Sequence, residues 1–268
     1  MPAPAQLRPV RCPRRAVLSL AVGLALSVCG ANGAVAATSD EVGRTSELLR
    51  ADAGTPGRLA PLTAPRRPRP PATIVSVRRA AAMRSAPGGR VIGRLGPKTE
   101  FGGATAMSVV RRRGRWVGVT TAKRRNGSLA WLDAKSPRLH TSRTRLTIRV
   151  DRSARRLELR RGSTVLARST ASIGRPGSPT PTGRFAVTDK LRGDRFGSYY
   201  GCCILALSGT QPNTPPGWPG GNRLAIHGTP NPASLGGAVS AGCVHASAST
   251  LERLMRDVPV GTPVIIRD

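Results

Sequence analysis

The chain has 268 residues, with 43 Lys and Arg against 13 Asp and Glu, a formal net charge of +30. Such an excess implies anionic surroundings, whether nucleic acid, anionic lipid or an extracellular polyanion, unless the arginines simply enrich a solvated surface. Three Trp, two Tyr and three Phe give few platforms for stacking on bases, so a nucleic-acid partner is not expected.

Residues 1–15 hold four arginines and no acid, and the next twenty-two residues, AVLSLAVGLALSVCGANGAVAA, carry no charge and end in small side chains. A basic, then apolar, then small-residue order is the layout of a secretory signal, with cleavage near Ala37. A retained anchor is the alternative, but the compact apolar run stops near Cys29, short of the about 20 residues a membrane span needs. The LSVC at residues 26–29 is a weak lipoprotein match, because Val28 is larger than the small residue usual before a lipidated cysteine. The expectation is an exported protein, with membrane contact only through an uncleaved or lipidated signal segment. Removal of residues 1–37 takes away Cys12 and Cys29 and leaves Cys202, Cys203 and Cys243 in a compartment that favours disulfides. Adjacent Cys202 and Cys203 read most simply as core strand residues, with a bridge between neighbours as a strained alternative. Cys243 is the cysteine most easily left over, as a reactive thiol.

Residues 38–72 become steadily richer in Pro and Arg and show no sustained apolar period, which reads as a disordered or extended linker ending in the stiff PRRPRPP. From residue 73 the pattern changes to short apolar runs, TIVSVRR, RVIGRL, MSVVRRRGRWVGVT and LAWLDA, separated by APGG, GPKTEFGG and RRNGS. Short strands between Gly-containing turns argue a small all-β barrel. Residues 73–136 resemble a bacterial SH3-like module on MRSAPGGRVIGRL, RRGRWVGV and NGSLAWLDA. That resemblance implies attachment to the cell wall or positioning of a catalytic neighbour, while Trp116 and Trp131 by themselves read as core.

Residues 142–268 form a second β-rich block. Leu146, Ile148 and Val150 alternate, DRSARR turns, and Leu157 and Leu159 resume the period of two. TVLARSTASIG, GRFAVTDKL, CCILALSG, RLAIHG and the terminal GTPVIIRD supply further strands, divided by Pro/Gly loops. One helix is expected over residues 249–257, with Ser249 and Glu252 as a capping box and Leu251, Leu254, Met255 and Val258 on one face. The fold class is therefore mainly β: signal segment and tether, a small barrel, then a β domain with one short helix.

The segment AIHGTPNPASLGGAVSAGCVHAS, residues 225–247, carries the chemistry. A thiol attacks as thiolate and an isolated one is mostly protonated at neutral pH, so a catalytic cysteine needs a base beside it. His227 ends an apolar strand, Cys243 stands where a Gly/Ser-rich run meets the helix, and the fifteen residues between them contain the Pro and Gly needed to fold back. Consecutive amides near Gly242 and Cys243 offer an oxyanion site. Metal binding by His227, Cys243 and His245 matches no usual zinc spacing and lacks a fourth ligand, and a structural histidine and cysteine remain the other alternative.

IHGTPNPASLGGAVSAGCVHAS also resembles the signature of the L,D-transpeptidase catalytic domain, the YkuD-like family, and the likeness extends over residues 144–268 through PTPTGRFAV and PVGTPVIIRD. The resemblance implies a β-sandwich in which Cys243 is the nucleophile, His227 its base and the Gly228 carbonyl the orienter of the imidazole. Ser240, Gly242 and His245 would line the site, and Trp218, in the loop before the histidine strand, would border the substrate cleft. Ala241 stands where many members have a second histidine, and His245 where arginine or asparagine is common. The implied reaction is acyl transfer on peptidoglycan stem peptides, without metal or cofactor. The basic surface and tether would hold the protein against anionic wall polymers. A hydrolase using the same acyl-enzyme, or a non-catalytic wall-binding protein with Cys243 inert, are the competing readings.

Overall fold

The computed structural model describes residues 70–218 and 221–268. The expected signal segment and nearly all of the expected linker, residues 1–69, lie outside the described residues.

The first sheet is built from β1 (Ala72–Val77), β2 (Ala81–Arg84), β3 (Val91–Leu95), β4 (Ala106–Arg113), β5 (Trp116–Val119), β6 (Ala130–Asp133) and β7 (Leu139–Thr144), in the order β3-β2-β6-β5-β4-β1-β7. Its core is Val75, Val77, Met83, Leu95, Met107, Val117, Val119 and Leu132, the apolar members of alternating runs. Trp131 is buried, and Trp116 lies half-buried beneath the guanidinium of Arg84. Two strands were not legible in the sequence. AAMR of β2 has too little apolar contrast to show a period, and LHTSRT of β7 reads as polar because it is an edge strand, held mainly by its ladder to β1 from Leu139 to Thr144. The first sheet therefore includes residues 142–144, which the sequence groups with the second block, and Arg145 alone separates β7 from β8.

The second block comprises β8 (Leu146–Asp151), β9 (Arg156–Arg161), β10 (Thr164–Thr170), β11 (Ile173–Gly174), β12 (Gly183–Arg192), β13 (Cys203–Thr210), β14 (Arg223–His227), β15 (Ala238–Ser240), β16 (Val244–His245), α1 (Ala248–Asp257) and β17 (Pro263–Arg267). Eight of these strands form one sheet, β10-β9-β8-β17-β12-β13-β14-β16, while β11 and β15 pair separately. The β8/β17 and β14/β16 pairs are parallel. Ile148, Val150, Leu157, Leu159, Leu205, Leu207, Leu224, Ile226 and Val264 form its core, α1 adds Leu251 and Leu254, and Val258, the residue that caps α1, joins them. The helix cap differs from the sequence expectation. Ser247, not Ser249, is the N-cap, its hydroxyl accepting the Thr250 N–H at 3.3 Å, so Glu252 falls outside a capping-box position.

The two sheets meet through polar pairs, one of them fully buried. The Thr120 and Ser208 hydroxyls bond at 2.9 Å, and the Asn126 amide clamps the backbone of Thr210, donating to its carbonyl at 2.6 Å and accepting its N–H at 3.0 Å. The Thr99 hydroxyl donates to Asp189, and Arg223 pairs with Glu100. Buried polar atoms are costly unless bonded, so such a seam tolerates few alternative arrangements.

Candidate active site

The leucine, alanine and isoleucine of β14 place it between β13 and β16, buried on both faces. Its parallel register with β16 sets Ile226 opposite Val244 and His227 opposite His245. Extending that register by one residue sets Cys243 beside Ala225. Side chains alternate along a strand and laterally paired residues share a face, so Ala225, His227, Cys243 and His245 all project to the same side. His227 and Cys243 line one narrow cleft of about 40 Å³, with Tyr199, Tyr200, Gln211 and Trp218 among its walls.

His227 is held by its own chain. Its Nδ1 lies 2.7 Å from the Gly228 carbonyl oxygen, which can only accept, so Nδ1 carries the proton and Nε2 is left as the basic nitrogen. Gly228 donates its N–H to the Tyr200 carbonyl at 2.9 Å. A Cβ at residue 228 would stand 2.9 Å from Gly201 Cα and from that same carbonyl, so the close approach of the two loops requires glycine. The imidazole packs against Tyr200, Tyr199 and His245, with ring centroids 4.9, 5.6 and 4.6 Å away. Burial, with a contribution from His245, pushes its pKa down to about 3 against the opposing effect of the Gly228 bond.

Cys243 is half-buried, with Sγ 3.8 Å from the Arg223 carbonyl. Burial raises its thiol to about 11, and the Ala225 N–H offsets this only in part. The resting pair is thus a neutral thiol and a neutral imidazole. Such a pair suits a base that accepts the thiol proton as sulfur attacks, rather than a preformed ion pair.

The turn before Cys243 is tied by Ser240, whose Oγ donates to the Cys243 carbonyl at 2.6 Å and accepts the Gly242 N–H at 3.0 Å. Ser240 therefore engages the Gly242 N–H from within the turn. Ser240, Gly242 and His245 stand just outside the lining of this cleft. Ser240 braces the turn, and Gly242 has φ +117° with Gln211 filling the space where a Cβ would be. His245 lies behind His227, buried, with neither ring nitrogen hydrogen-bonded.

Cys202 and Cys203 are joined to each other, not two free core cysteines. Only Cys203 is buried, and among the described residues Cys243 is the free thiol. Gln211, Tyr199 and Tyr200 were missed in the sequence. Gln211 donates to the Ser178 and Pro179 carbonyls at 3.2 and 3.0 Å and accepts the Asn213 N–H, joining three loops around the nucleophile's turn. No motif announces it. The chain's two tyrosines, adjacent and immediately before the Gly-Cys-Cys turn, were the available signal. Tyr199 meets Trp218 edge-on at 5.7 Å, which places Trp218 at the cleft wall.

Residues 145–266 match the family model of YkuD, the L,D-transpeptidase catalytic domain. YkuD of Bacillus subtilis (strain 168) is 34% identical over 121 residues, 44% of this chain and 64% of that protein. YqjB of the same strain is 31% identical over 108 residues, 37% of this chain and 58% of that protein. Both carry the L,D-transpeptidase name, and this chain spans less than two thirds of the length of each. An L,D-transpeptidase structure from Mycobacterium smegmatis is 20% identical with a TM-score of 0.38, covering 57% of this chain and 91% of that one.

Proposed function

We propose that the chain is an exported L,D-transpeptidase that crosslinks peptidoglycan stem peptides through a thioester on Cys243, serving cell wall biogenesis. The observation that carries this reading is the common face of His227 and Cys243 at one cleft, with the imidazole tautomer set by the Gly228 carbonyl. The match over residues 145–266 supports it.

In this mechanism Cys243 Sγ attacks the carbonyl of the third stem residue as its proton passes to His227 Nε2. The tetrahedral adduct collapses, the C–N bond to the terminal D-alanine breaks, and the imidazolium returns the proton to the leaving amine. The amine of a neighbouring stem then attacks the thioester, gives a proton to His227, and leaves a 3-3 crosslink with the thiol restored. The peptide bond's energy is conserved in the thioester, so no cofactor enters. A cleft of about 40 Å³ encloses only the reacting end of such a donor, with Trp218 and the two tyrosines against it. Residues 73–136 act as an SH3-like module that positions the catalytic domain, and residues 1–37 direct export.

Purified protein incubated with a donor tetrapeptide stem is expected to release D-alanine and form a stem dimer, read by mass spectrometry. Release of D-alanine with tripeptide alone would make the protein a hydrolase. Neither product would remove the reading.

A further inference from the structure

Cys243 stands beside a rung of the second sheet that the first sheet holds from two sides. Thr210 of β13 and Arg223 of β14 pair across the ladder, past the irregularity between residues 206 and 210. The flanking Gln211 N–H, not that of Thr210, donates across to the Asn222 carbonyl at 2.7 Å, which marks a non-hydrogen-bonded pair whose own backbone groups point outward. On the β14 side the outward carbonyl of Arg223 accepts the Cys243 thiol, 3.8 Å from Sγ, and Arg223 lines the cysteine cleft.

Both grips come from loops of the first sheet. Between β5 and β6, the Asn126 amide accepts the N–H of Thr210 and donates to its carbonyl, the two groups that the ladder leaves unpaired. Between β3 and β4, Thr99 organises a turn, its hydroxyl accepting the Gly103 N–H at 3.1 Å and donating to the buried Asp189 of β12. That turn presents Glu100 to the Arg223 guanidinium and sets the Phe101 ring beneath it, 5.7 Å from the ring centre. The same guanidinium donates to the Leu207 carbonyl at 2.8 Å and closes the irregular stretch of β13 onto β14. One arginine thus carries the first sheet's hold on its side chain and the nucleophile on its carbonyl.

Reaction at a buried thiol depends on where the sulfur points. Burial holds Cys243 up at about 11, so at neutral pH its sulfur reacts as the proton passes to His227. Misplacing such a pair by about 1 Å costs on the order of a hundredfold in rate. The Arg223 carbonyl fixes the sulfur's starting position, yet Arg223 is the first residue of β14, and a strand end without outside support frays. We propose that Glu100 and Asn126 are positioning residues for Cys243, so that the first sheet completes the cysteine site and does not only carry it; this rests on the cysteine mechanism given above.

The test uses the full chain and measures alkylation of Cys243 by iodoacetamide at pH 7 in the folded protein, beside kcat and KM for D-alanine release from a tetrapeptide donor. Glu100→Gln keeps an acceptor for Arg223 and loses the charge, while Glu100→Ala loses both. Alkylation and kcat should fall about threefold in Glu100→Gln and about tenfold in Glu100→Ala and Asn126→Ala, with KM within about twofold of wild type. Asp133→Ala, which removes the ion pair with Arg115 inside the first sheet, should match wild type in all three readouts. Glu100 is exposed, so its variants keep the wild-type melting transition. Unchanged or faster alkylation in either Glu100→Ala or Asn126→Ala, or an equal loss in Asp133→Ala, would overturn the proposal, because a purely structural brace lowers melting without altering the thiol of the folded protein. A wild type that is alkylated at Cys243 yet releases no D-alanine would remove the transpeptidase reading, and the alkylation series would still decide the positioning role.

Discussion

Acidification from pH 8 to pH 5 should destabilise this fold by an amount set by two side chains. His227 and His245 are 1% and 4% exposed, and burial, the leading cause for both, pushes their pKa values from 6.5 to about 3 and about 4. In that window the unfolded chain takes up a proton on each imidazole and the folded chain does not. The unfolded state binds more protons, so stability falls as pH falls below 6.5. For an unfolded pKa of 6.5, each histidine costs about 2 kcal/mol at pH 5, about 4 kcal/mol for the pair. The carboxylates with lowered values, among them Asp133, Glu158 and Asp194, contribute stability that is lost only as pH drops below about 4.5, and the raised Cys243 thiol acts above pH 9. Urea unfolding at pH 8, 6.5 and 5 measures the loss. His245→Phe keeps the ring volume, and His245 has no hydrogen bond to lose. The variant should show about half the wild-type drop. A wild-type stability that stays flat to pH 5, or a variant with the same slope as wild type, would refute the burial argument.

Other substitutions report on the supports of the site. Gly242→Ala forces φ +117° on a residue with a Cβ and drives it into Gln211. It should cost about 2 kcal/mol in urea unfolding and slow alkylation of Cys243 by iodoacetamide. Asn126→Ala removes both bonds to the Thr210 backbone, next to Gln211, and should cost about 1–3 kcal/mol. Hydrogen exchange should then show lower protection at residues 210–211. Trp218→Ala removes the edge contact with Tyr199 and should raise the donor KM about threefold to tenfold with kcat little changed, measured by D-alanine release.

What the sequence discloses depends on how local the cause is. The strands at Leu146, Ile148, Val150, Leu157 and Leu159 follow from alternation within a few residues, and the apolar face of α1 follows from helical spacing. β7 escapes such reading because an edge strand is fixed by pairing with β1, seventy residues away in the chain, and not by its own polar pattern. His227 and Cys243 stand out by residue type and by their position at a strand end and a loop. The neighbours that shape the cleft do not. Gln211 acts through hydrogen bonds to residues 178 and 179, and Tyr199 through rings contributed by distant loops. Ser240 and Gly242 act inside the turn that carries Cys243, through bonds that residue type and spacing do not announce.

In the proposed mechanism the imidazole of His227 draws the proton from Cys243 as the sulfur attacks a peptide carbonyl. Intact-mass measurement of the protein mixed with a stem-peptide donor, on wild type, Cys243→Ala and His227→Gln, tests it most directly. An acyl adduct is expected that maps to Cys243, is absent in Cys243→Ala and forms far more slowly in His227→Gln. An adduct of undiminished yield in Cys243→Ala, or an unchanged acylation rate in His227→Gln, would contradict it.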